Sequence, residues 1–536
     1  MAVTDFQNQA SAQPPQEGPA TSSGLRERLV PPMPGNPLWG WLGPLLITVL
    51  GGALRFLDLG HPKAVVFDET YYAKDALALV EFGVEKVTID GADQQLLAGN
   101  ANIWKQCAAD QLDQCASYVV HPPLGKWMIG LGEWLFGATP FGWRFSAALF
   151  GTLSILILAR AARRMTRSTL LGCLAGLLLA VEGLHFVLSR FALLDVFLTF
   201  WVIAGFACLV ADRDWSRSRL VDWYDRSPAT DEGPSLGWRP WRLAAGACLG
   251  AACAVKWSGV FFLIGFLVLS LMWDAGARRA LGLPRPYRGT LRRDLPGALL
   301  AMPVLSALVY IVSWTGWFAS AQGYGRNWDQ AVAGGPLFFV VDSARSWWNY
   351  QIMALSFHTG LDQQHSYQSW PWEWPLLLRP VAFYWGENPK GCGAEHCAEA
   401  VLGTGTPVIW FAGAAALLGM IAWYVATRDW RAGAVLLGYG VGWLPWFYYA
   451  ISSHRTMFQF YALPLVPFMI LALVLAAGLI LGPADAAPNR RIAGATTVGA
   501  FALLALINFW WLHPVLTADI ITYDEWHSRM LFRRWI

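Results

Sequence analysis

Two adjacent carboxylic acids, Asp68 and Glu69, follow the first long apolar segment of the chain, in the sequence Phe-Asp-Glu-Thr-Tyr-Tyr. An acid held beside a lipid bilayer is costly and usually has a function there. We therefore predict that Asp68 is a catalytic base at a membrane surface. A structural role is also open, because Asp68 or Thr70 could cap the helix that follows, with Glu69 in its first turn.

Four basic residues lie at or near the predicted outer ends of apolar segments. They are Arg55, Arg144, Arg190 and Lys256. Each alone could extend to lipid head groups or pair with an acid such as Glu182 or Asp195. Together they surround the loop that carries Asp68, where positive charge suits an anionic ligand such as a lipid-linked phosphate.

His121 precedes two prolines in the sequence His-Pro-Pro-Leu-Gly-Lys. The prolines can be explained structurally, because they fix an extended backbone at the start of the helix that follows. That role does not explain why His121 and Lys126 flank the prolines near the same surface. His121 could hold an acceptor or a carboxylate.

These residue types fit the transfer of a sugar from a lipid-linked phosphate. Phosphate is a good leaving group, so the reaction needs positive charge on the departing phosphate and a carboxylate that takes the proton of the acceptor hydroxyl. In an inverting displacement the base and the leaving group lie on opposite faces of the sugar. The sequence has no P-loop or dinucleotide-binding fingerprint, which disfavours a nucleotide-linked donor.

The composition is that of a membrane protein. Of 536 residues, 55% are hydrophobic and only 14% are charged, whereas soluble domains average about 25% charged residues. The 31 Trp, 29 Phe and 16 Tyr fit aromatic belts at both membrane interfaces. A net charge of +3 without a basic stripe excludes nucleic-acid binding.

About eleven segments have the roughly 20 apolar residues that a membrane span needs. They lie near 38–58, 141–161, 169–187, 191–211, 241–257, 258–274, 296–318, 405–426, 432–450, 457–481 and 493–513. Residues 1–36 are rich in Pro, Gln, Ser and Gly and predict a disordered cytoplasmic tail. They lack the basic start and apolar core of a signal peptide, so the first segment is expected to remain as a span.

Arg and Lys gather in alternate loops, which places the N-terminus in the cytoplasm. Two long loops, 59–140 and 319–404, are then outside, and loops of this length are usually functional. The first contains two amphipathic pieces, Glu69–Phe82 and Leu124–Phe136, and the second is rich in Trp. This divides the chain into a membrane module with a catalytic loop, a Trp-rich loop, a four-helix membrane module and an outer tail. Their predicted bounds are 37–318, 319–404, 405–513 and 514–536.

Two close cysteine pairs lie in the predicted outer loops: Cys107 with Cys115, and Cys392 with Cys397. Close pairs on the exterior fit disulfides in an oxidising compartment. A Cys-x₄-Cys pair could also be half of a metal site, but the sequence offers no second half with suitable spacing.

Seven segments occur in the same order as in a known family. They are FDETYYAKDA, HPPLGKWMIG, GWRFSAALFG, SRFALLDVFLTF, VKWSG, HSYQSWPWEWPLLLRPVAFYW and RTMFQFYALPLVPF. Each is weak alone, but in this order the chain resembles a protein O-mannosyltransferase from its first span to about residue 481.

The resemblance implies an all-α polytopic GT-C glycosyltransferase with about eleven spans. The implied reaction transfers mannose, with inversion, from polyprenyl-phosphate mannose to Ser or Thr of a polypeptide. Asp68 then matches the family's proposed base, with Glu69 supporting it. Arg55 and Arg144 match basic positions that the family needs, Lys256 matches a phosphate contact, and Arg190 joins them as a candidate. His121 and His365 lie in family motifs and are candidates for positioning the acceptor.

The chain departs from eukaryotic members, which carry a MIR domain between the seventh and eighth spans. Only about 85 residues fill that gap here, so the resemblance is to bacterial members without a MIR domain. The segment from Glu85 to Tyr118 looks like a local insertion. The expected location is the bacterial plasma membrane, with an outer active site. Exported polypeptides are the expected acceptors, and the translocation channel is a candidate partner.

Two other functions remain open. A related GT-C enzyme could move a sugar from a polyprenyl-phosphate carrier to a lipid or glycan instead of a protein. A transporter would place polar residues at mid-membrane, whereas the notable polar residues here collect at one face. The acidic pair could hold a divalent metal, although no further converging acids are evident.

Overall fold

The computed structural model describes residues 22–108, 112–226, 230–326, 328, 336–483 and 485–536, which are mainly helical. Residues 1–21 of the predicted tail lie outside this part. The rest of that tail contains a helix, Ser22–Leu29, whose Leu25 and Leu29 pack against Leu220 and Val221. A small apolar contact therefore orders this part of the predicted tail.

Nine described helices are long and apolar enough to cross a membrane. They are Trp39–Phe56, Pro140–Thr166, Leu194–Tyr224, Gly259–Ala280, Pro286–Ser313, Pro407–Thr427, Trp430–Ser452, Gln459–Leu481 and Pro488–Leu512. Two shorter apolar helices, Thr169–Ala180 and Pro240–Val255, occupy two further predicted spans. At 1.5 Å per residue they reach only about 18 and 24 Å, less than the roughly 30 Å of a hydrocarbon core. The polytopic membrane architecture is confirmed, but the count of eleven is not established.

The membrane helices differ in how far they are enclosed. The most apolar stretches of Leu194–Tyr224 and Gln459–Leu481 are 78% and 83% buried, so these two helices form the centre. The corresponding stretch of Pro286–Ser313 is only 22% buried. This outer helix contains a π-helical segment, Leu300–Val304, around Pro303, which removes a backbone donor from the helical ladder.

The first outer loop contains both predicted amphipathic helices. Glu69–Phe82, here called the first-loop helix, packs against Leu124–Phe136. Between them, residues 85–118 form the insertion module, which includes the helix Ala92–Leu97 and a disulfide between Cys107 and Cys115. Leu77 of the first-loop helix packs against the module's Ile103.

The second outer loop is more regular than predicted, because Pro336–Thr359 is a 24-residue helix, here called the second-loop helix. Strand Val381–Trp385 pairs with Ala400–Gly403, and Cys397–Ala398 pairs with Ile521–Thr522, both antiparallel. These two small sheets are exceptions to an all-α chain. A disulfide joins Cys392 to Cys397, so both predicted cysteine pairs are bonded. Short helices complete the fold: Gly183–Leu188, Leu112–Cys115, Thr315–Ala319, Trp374–Leu376, Pro514–Thr517, Tyr523–Ser528 and Arg533–Trp535.

Both outer loops and the C-terminal segment lie at one end of the helix bundle. His61 of the first loop contacts the carbonyl of Ala518 at 3.0 Å. Arg534 donates to Glu373 of the second loop at 2.7 Å, and Trp535 donates to the carbonyl of Leu377. The three segments therefore form one layer over the bundle.

Candidate active site

A cavity of about 590 Å³ lies beneath that layer, between the bundle and the second-loop helix. Part of its lining is apolar and comes from two membrane helices, Gly259–Ala280 and Pro286–Ser313. Its residues include Val260, Phe261, Leu263, Pro303 and Ile311. Another part of the lining is polar and is here called the polar wall. Its residues include His121, Asp195, Lys256, His358, Arg455 and Tyr461. Such a cavity suits a ligand with an apolar chain and a charged head.

Lys256 lies at the break between the helices Pro240–Val255 and Gly259–Ala280. Its Nζ donates to both carboxylate oxygens of Asp195, at 3.0 and 2.8 Å. The ammonium also lies 5.2 Å from the ring centre of Tyr461. Asp195 therefore orients Lys256 and offsets its charge.

Arg455 contributes a second positive charge to the cavity. It lies 5.7 Å from the ring centre of Trp446 and 5.9 Å from that of Tyr461, and its Nη2 lies 3.5 Å from Nδ1 of His358. Within the described part of the chain Arg455 has no carboxylate partner, and its buried Nε has no hydrogen bond. A buried charge without a counterion is unfavourable, so Arg455 is a strong candidate to bind an anion.

Two histidines lie side by side in the polar wall. The ring centres of His121 and His358 are 5.0 Å apart. Nε2 of His358 contacts the carbonyl of Val120 at 2.8 Å, which fixes Nε2 as the donor of a neutral ring. Burial and the charge of Arg455 lower the pKa of His358 to about 4. Burial also lowers the pKa of His121 well below its usual range, and the buried Nδ1 of His121 has no partner in the described structure.

Asp68 lies beside this polar wall, immediately before the first-loop helix. It is half-buried, and its side chain makes no capping hydrogen bond to the helix, so the capping interpretation fails for Asp68. Burial raises the pKa of its carboxyl to about 6, with Lys256 lowering it and Asp195 raising it. Asp68 is thus an uncommitted carboxyl close to the cavity's ion pair.

The residue before Asp68 sets the entry to the helix. Phe67 has φ +50°, a left-handed conformation that is rare for a residue with a side chain. Its ring makes edge contacts with Phe383 at 5.1 Å and Phe460 at 5.8 Å. This aromatic packing holds the strained residue in place next to Asp68.

Glu69 points away from the cavity into the protein interior. It is fully buried and accepts two hydrogen bonds from Arg144, both at 2.9 Å. The backbone N–H groups of Val66 and Ala192 also donate to Glu69. Arg144 gives its remaining donors to the carbonyls of three residues of the same loop. These are Leu59, Pro62 and Ala64. The pair therefore has no spare donor or acceptor for a ligand.

Arg55 and Arg190 are likewise bonded to the protein's own backbone. Arg55 is fully buried and donates through its Nη groups to the carbonyls of Gly51, Leu179 and Ala180, whereas its Nε has no partner in the described structure. Arg190 donates to four carbonyls at the end of the first membrane helix. These belong to Leu54, Arg55, Leu57 and Asp58. Neither side chain extends to lipid, and neither lies on the cavity wall with Lys256.

Comparisons with known proteins agree with this architecture. The family described as dolichyl-phosphate-mannose-protein mannosyltransferase matches residues 137–293, and that described as the C-terminal four TMM region of protein-O-mannosyltransferase matches residues 343–535. The chain is 39% identical over 524 residues to the polyprenol-phosphate-mannose–protein mannosyltransferase of Mycolicibacterium smegmatis (strain MKD8), covering 95% of this chain and 96% of the relative. The chain belongs to the protein O-mannosyltransferase family.

Further relatives extend this result. The polyprenol-phosphate-mannose–protein mannosyltransferase of Mycobacterium tuberculosis (strain H37Rv) is 38% identical over 515 residues, covering 94% of this chain and 93% of the relative. The solved Pmt1–Pmt2 complex of S. cerevisiae, bound to its sugar donor, has a TM-score of 0.70 at 15% identity, covering 97% of this chain and 96% of that chain. The predicted family, enzyme class and GT-C fold are confirmed.

The remaining predicted residues of this mannosyltransferase lie away from the cavity wall. His365 is exposed, and its Nδ1 accepts a hydrogen bond from the N–H of Tyr367 at 3.1 Å. The two disulfides lie in the outer layer. Among the described residues no group of three or more His, Cys, Asp or Glu side chains is arranged to hold a metal ion.

Sequence reasoning missed three residues of the polar wall, Arg455, His358 and Tyr461. Arg455 follows a predicted span at its outer end, so the rule that selected Arg55 and Arg144 would also have selected it. His358 had no such signal, because the second-loop helix was interpreted as loop. Asp195 was considered only as an ion-pair partner, which is the role that the structure gives it toward Lys256.

Proposed function

We propose that this chain transfers mannose from polyprenyl-phosphate mannose to Ser or Thr hydroxyls of exported polypeptides, with inversion at the anomeric carbon. The observation that carries this proposal is the cavity itself. It combines an apolar part, the buried Arg455 with no carboxylate partner among the described residues, and an adjacent carboxyl whose pKa is about 6. The names of the relatives support the choice of donor and acceptor.

In this mechanism the polyprenyl chain lies along the apolar part of the lining and the donor phosphate lies against Arg455 and Lys256. Their charge stabilises the phosphate as its bond to the anomeric carbon breaks. Asp68 takes the proton of the acceptor hydroxyl as that oxygen bonds to the same carbon from the opposite face. The products are the mannosylated side chain and polyprenyl phosphate, with the proton on Asp68. We assign to His121, whose Nδ1 has no partner among the described residues, the role of orienting the acceptor.

The other predicted cations are proposed to act indirectly. The Nη groups of Arg55, Arg144 and Arg190 donate to backbone carbonyls and to Glu69, so a direct phosphate contact through these groups would break buried hydrogen bonds. Holding the loop between the first membrane helix and Asp68 is the role that their contacts favour. Glu69 supports Asp68 in this way, through Arg144.

The proposed setting is a bacterial plasma membrane, with the N-terminus in the cytoplasm and the active site outside. The bonded cysteine pairs support an exterior location for both loops, because disulfides persist in oxidising compartments. The C-terminal segment, which pairs with the second loop, would then also be outside.

The test uses membranes that contain this protein, radiolabelled polyprenyl-phosphate mannose and a Ser/Thr/Pro-rich peptide. We expect alkali-labile label on the peptide with the wild type, none with Asp68→Asn, and full label with the control Asp90→Asn, an exposed acid of the same loop. Label on lipid or glycan instead of peptide would support the related GT-C reaction. Full activity of Asp68→Asn would refute the role of Asp68. Loss of activity with EDTA, restored by a divalent ion, would add a metal requirement.

A further inference from the structure

The insertion module contacts the first-loop helix next to Asp68. Oγ1 of Thr70 donates to Oδ2 of Asp93 at 2.7 Å, and Nζ of Lys74 lies 2.8 Å from Oδ1 of Asp93. Lys74 also donates to Thr70 at 3.3 Å. One carboxylate of the module is thus bonded to the first and second turns of the helix that begins after Asp68.

Three consecutive residues at the start of this helix point in three directions. In an α-helix successive side chains are about 100° apart around the axis. Asp68 lies by the cavity, Glu69 is bonded to Arg144 in the interior, and Thr70 is bonded to Asp93 in the module. Fixing Glu69 and Thr70 from two sides therefore fixes the rotation of the helix, and with it the direction of Asp68.

The module that presents Asp93 is itself well held. Ile103 is completely buried, and it packs with Leu96 against Leu77 of the first-loop helix. The disulfide between Cys107 and Cys115 closes the end of the module. Asp93 lies in the first turn of the helix Ala92–Leu97, next to this small core. Asp93 is therefore held by a helix and a small apolar core, and does not lie in an irregular loop.

We propose that Asp93 is a positioning residue for the catalytic base, acting through Thr70 and Lys74. The proposal rests on the proposed function of Asp68. A general base must lie within hydrogen-bond distance of the proton it takes, and a displacement of about 1 Å can lower a rate about 100-fold. The bond to Asp93 opposes rotation of the start of the helix, in addition to the pair of Glu69 with Arg144 and the packing of the helix against Leu124–Phe136.

The test is a double-mutant cycle of Asp93→Ala and Thr70→Val, measured as kcat and as KM for the lipid donor. Each single variant is expected to lower kcat about tenfold with KM unchanged, and the double variant to lose no more than either one. The matched control is Trp104→Phe. It removes the 2.7 Å bond from Trp104 to Glu81, which joins the same module to the other end of the same helix, and it should leave kcat unchanged.

Several results would overturn the proposal. These are a wild-type kcat in either single variant, an equal loss in Trp104→Phe, or fully additive losses in the double variant. If Asp93→Ala does not fold, Thr70→Val decides the question, because it keeps the side-chain shape and removes only the hydroxyl, which donates to Asp93 and accepts from Lys74. The proposed function fails separately, when the wild type itself transfers no mannose to peptide.

Discussion

Two groups of basic residues lie near the base, and they differ in what their donors contact. Arg55, Arg144 and Arg190 are buried and give most of their N–H groups to carbonyls and to Glu69, and of their buried donors only Nε of Arg55 has no partner in the described structure. Lys256 and Arg455 line the cavity, and Arg455 has an unfilled donor and no carboxylate partner in the described structure. The comparison teaches that a buried cation with an unfilled donor indicates a ligand site only when it also lines a cavity, because Nε of Arg55 is unfilled as well but Arg55 does not line the cavity.

The two neighbouring acids repeat this difference. Glu69 accepts four hydrogen bonds in the interior, whereas Asp68 is half-buried, does not cap its helix and has a raised pKa. The four donors occupy the acceptor positions of the Glu69 carboxylate, so none is left for an acceptor hydroxyl. This difference is why the proposed base is Asp68 and not Glu69.

The strongest test of this difference is to replace each of the two acids separately by its amide. Asp68→Asn removes the base and is expected to lower kcat by about 10²–10⁴-fold, the usual contribution of a general base. Its melting temperature in detergent should equal that of the wild type, because Asp68 makes no capping bond. A variant that keeps a wild-type kcat, or that loses activity only by unfolding, would contradict the assignment.

Breaking the interior pair should instead affect stability. Glu69→Gln leaves Arg144 buried with an uncompensated charge, and such changes destabilise by about 3–5 kcal/mol. We expect the purified variant to have a lower midpoint in thermal denaturation. We also expect a smaller amount of the variant protein in the membrane fraction. Arg455→Met is the matched control, since it removes a buried charge that has no counterion in the described structure. If Glu69→Gln has a normal midpoint, the pair is not the anchor that its geometry indicates.

The variant Arg455→Met tests the group of cations that line the cavity. A hydrogen bond to a charged group contributes about 1.5–3 kcal/mol, so Arg455→Met should raise KM for the lipid donor by about 10- to 100-fold. Arg55→Met should not produce this selective effect, because Arg55 does not line the cavity and its Nη groups donate to carbonyls. Initial rates at varied donor concentration separate the two. An unchanged KM in Arg455→Met would remove Arg455 from the phosphate site.

Much of the fold could be predicted because apolar length and helical periodicity are local signals. The bounds of Glu69–Phe82 and Leu124–Phe136 and both disulfides follow from the sequence. The second-loop helix could not be recognised as easily, because Trp and polar residues interrupt its apolar pattern. The sequence also could not predict which group each basic side chain contacts. Whether Arg144 faces a ligand or Glu69 depends on residues 75 positions apart in the chain.

The smallest effect should come from pH. The pKa of Asp68 is about 6, and a base acts only in its deprotonated form, so kcat/KM should fall about tenfold for each pH unit below that value and level off above it. Asp75 lies two turns further along the first-loop helix, and burial raises the pKa of its carboxyl to about 7. If Asp68 governs the profile, Asp75→Asn keeps the midpoint near pH 6, because Asp75 is not part of the cavity wall. A profile that is flat across this range, or one whose midpoint moves in Asp75→Asn, would assign the titration to a group other than the acid beside the cavity.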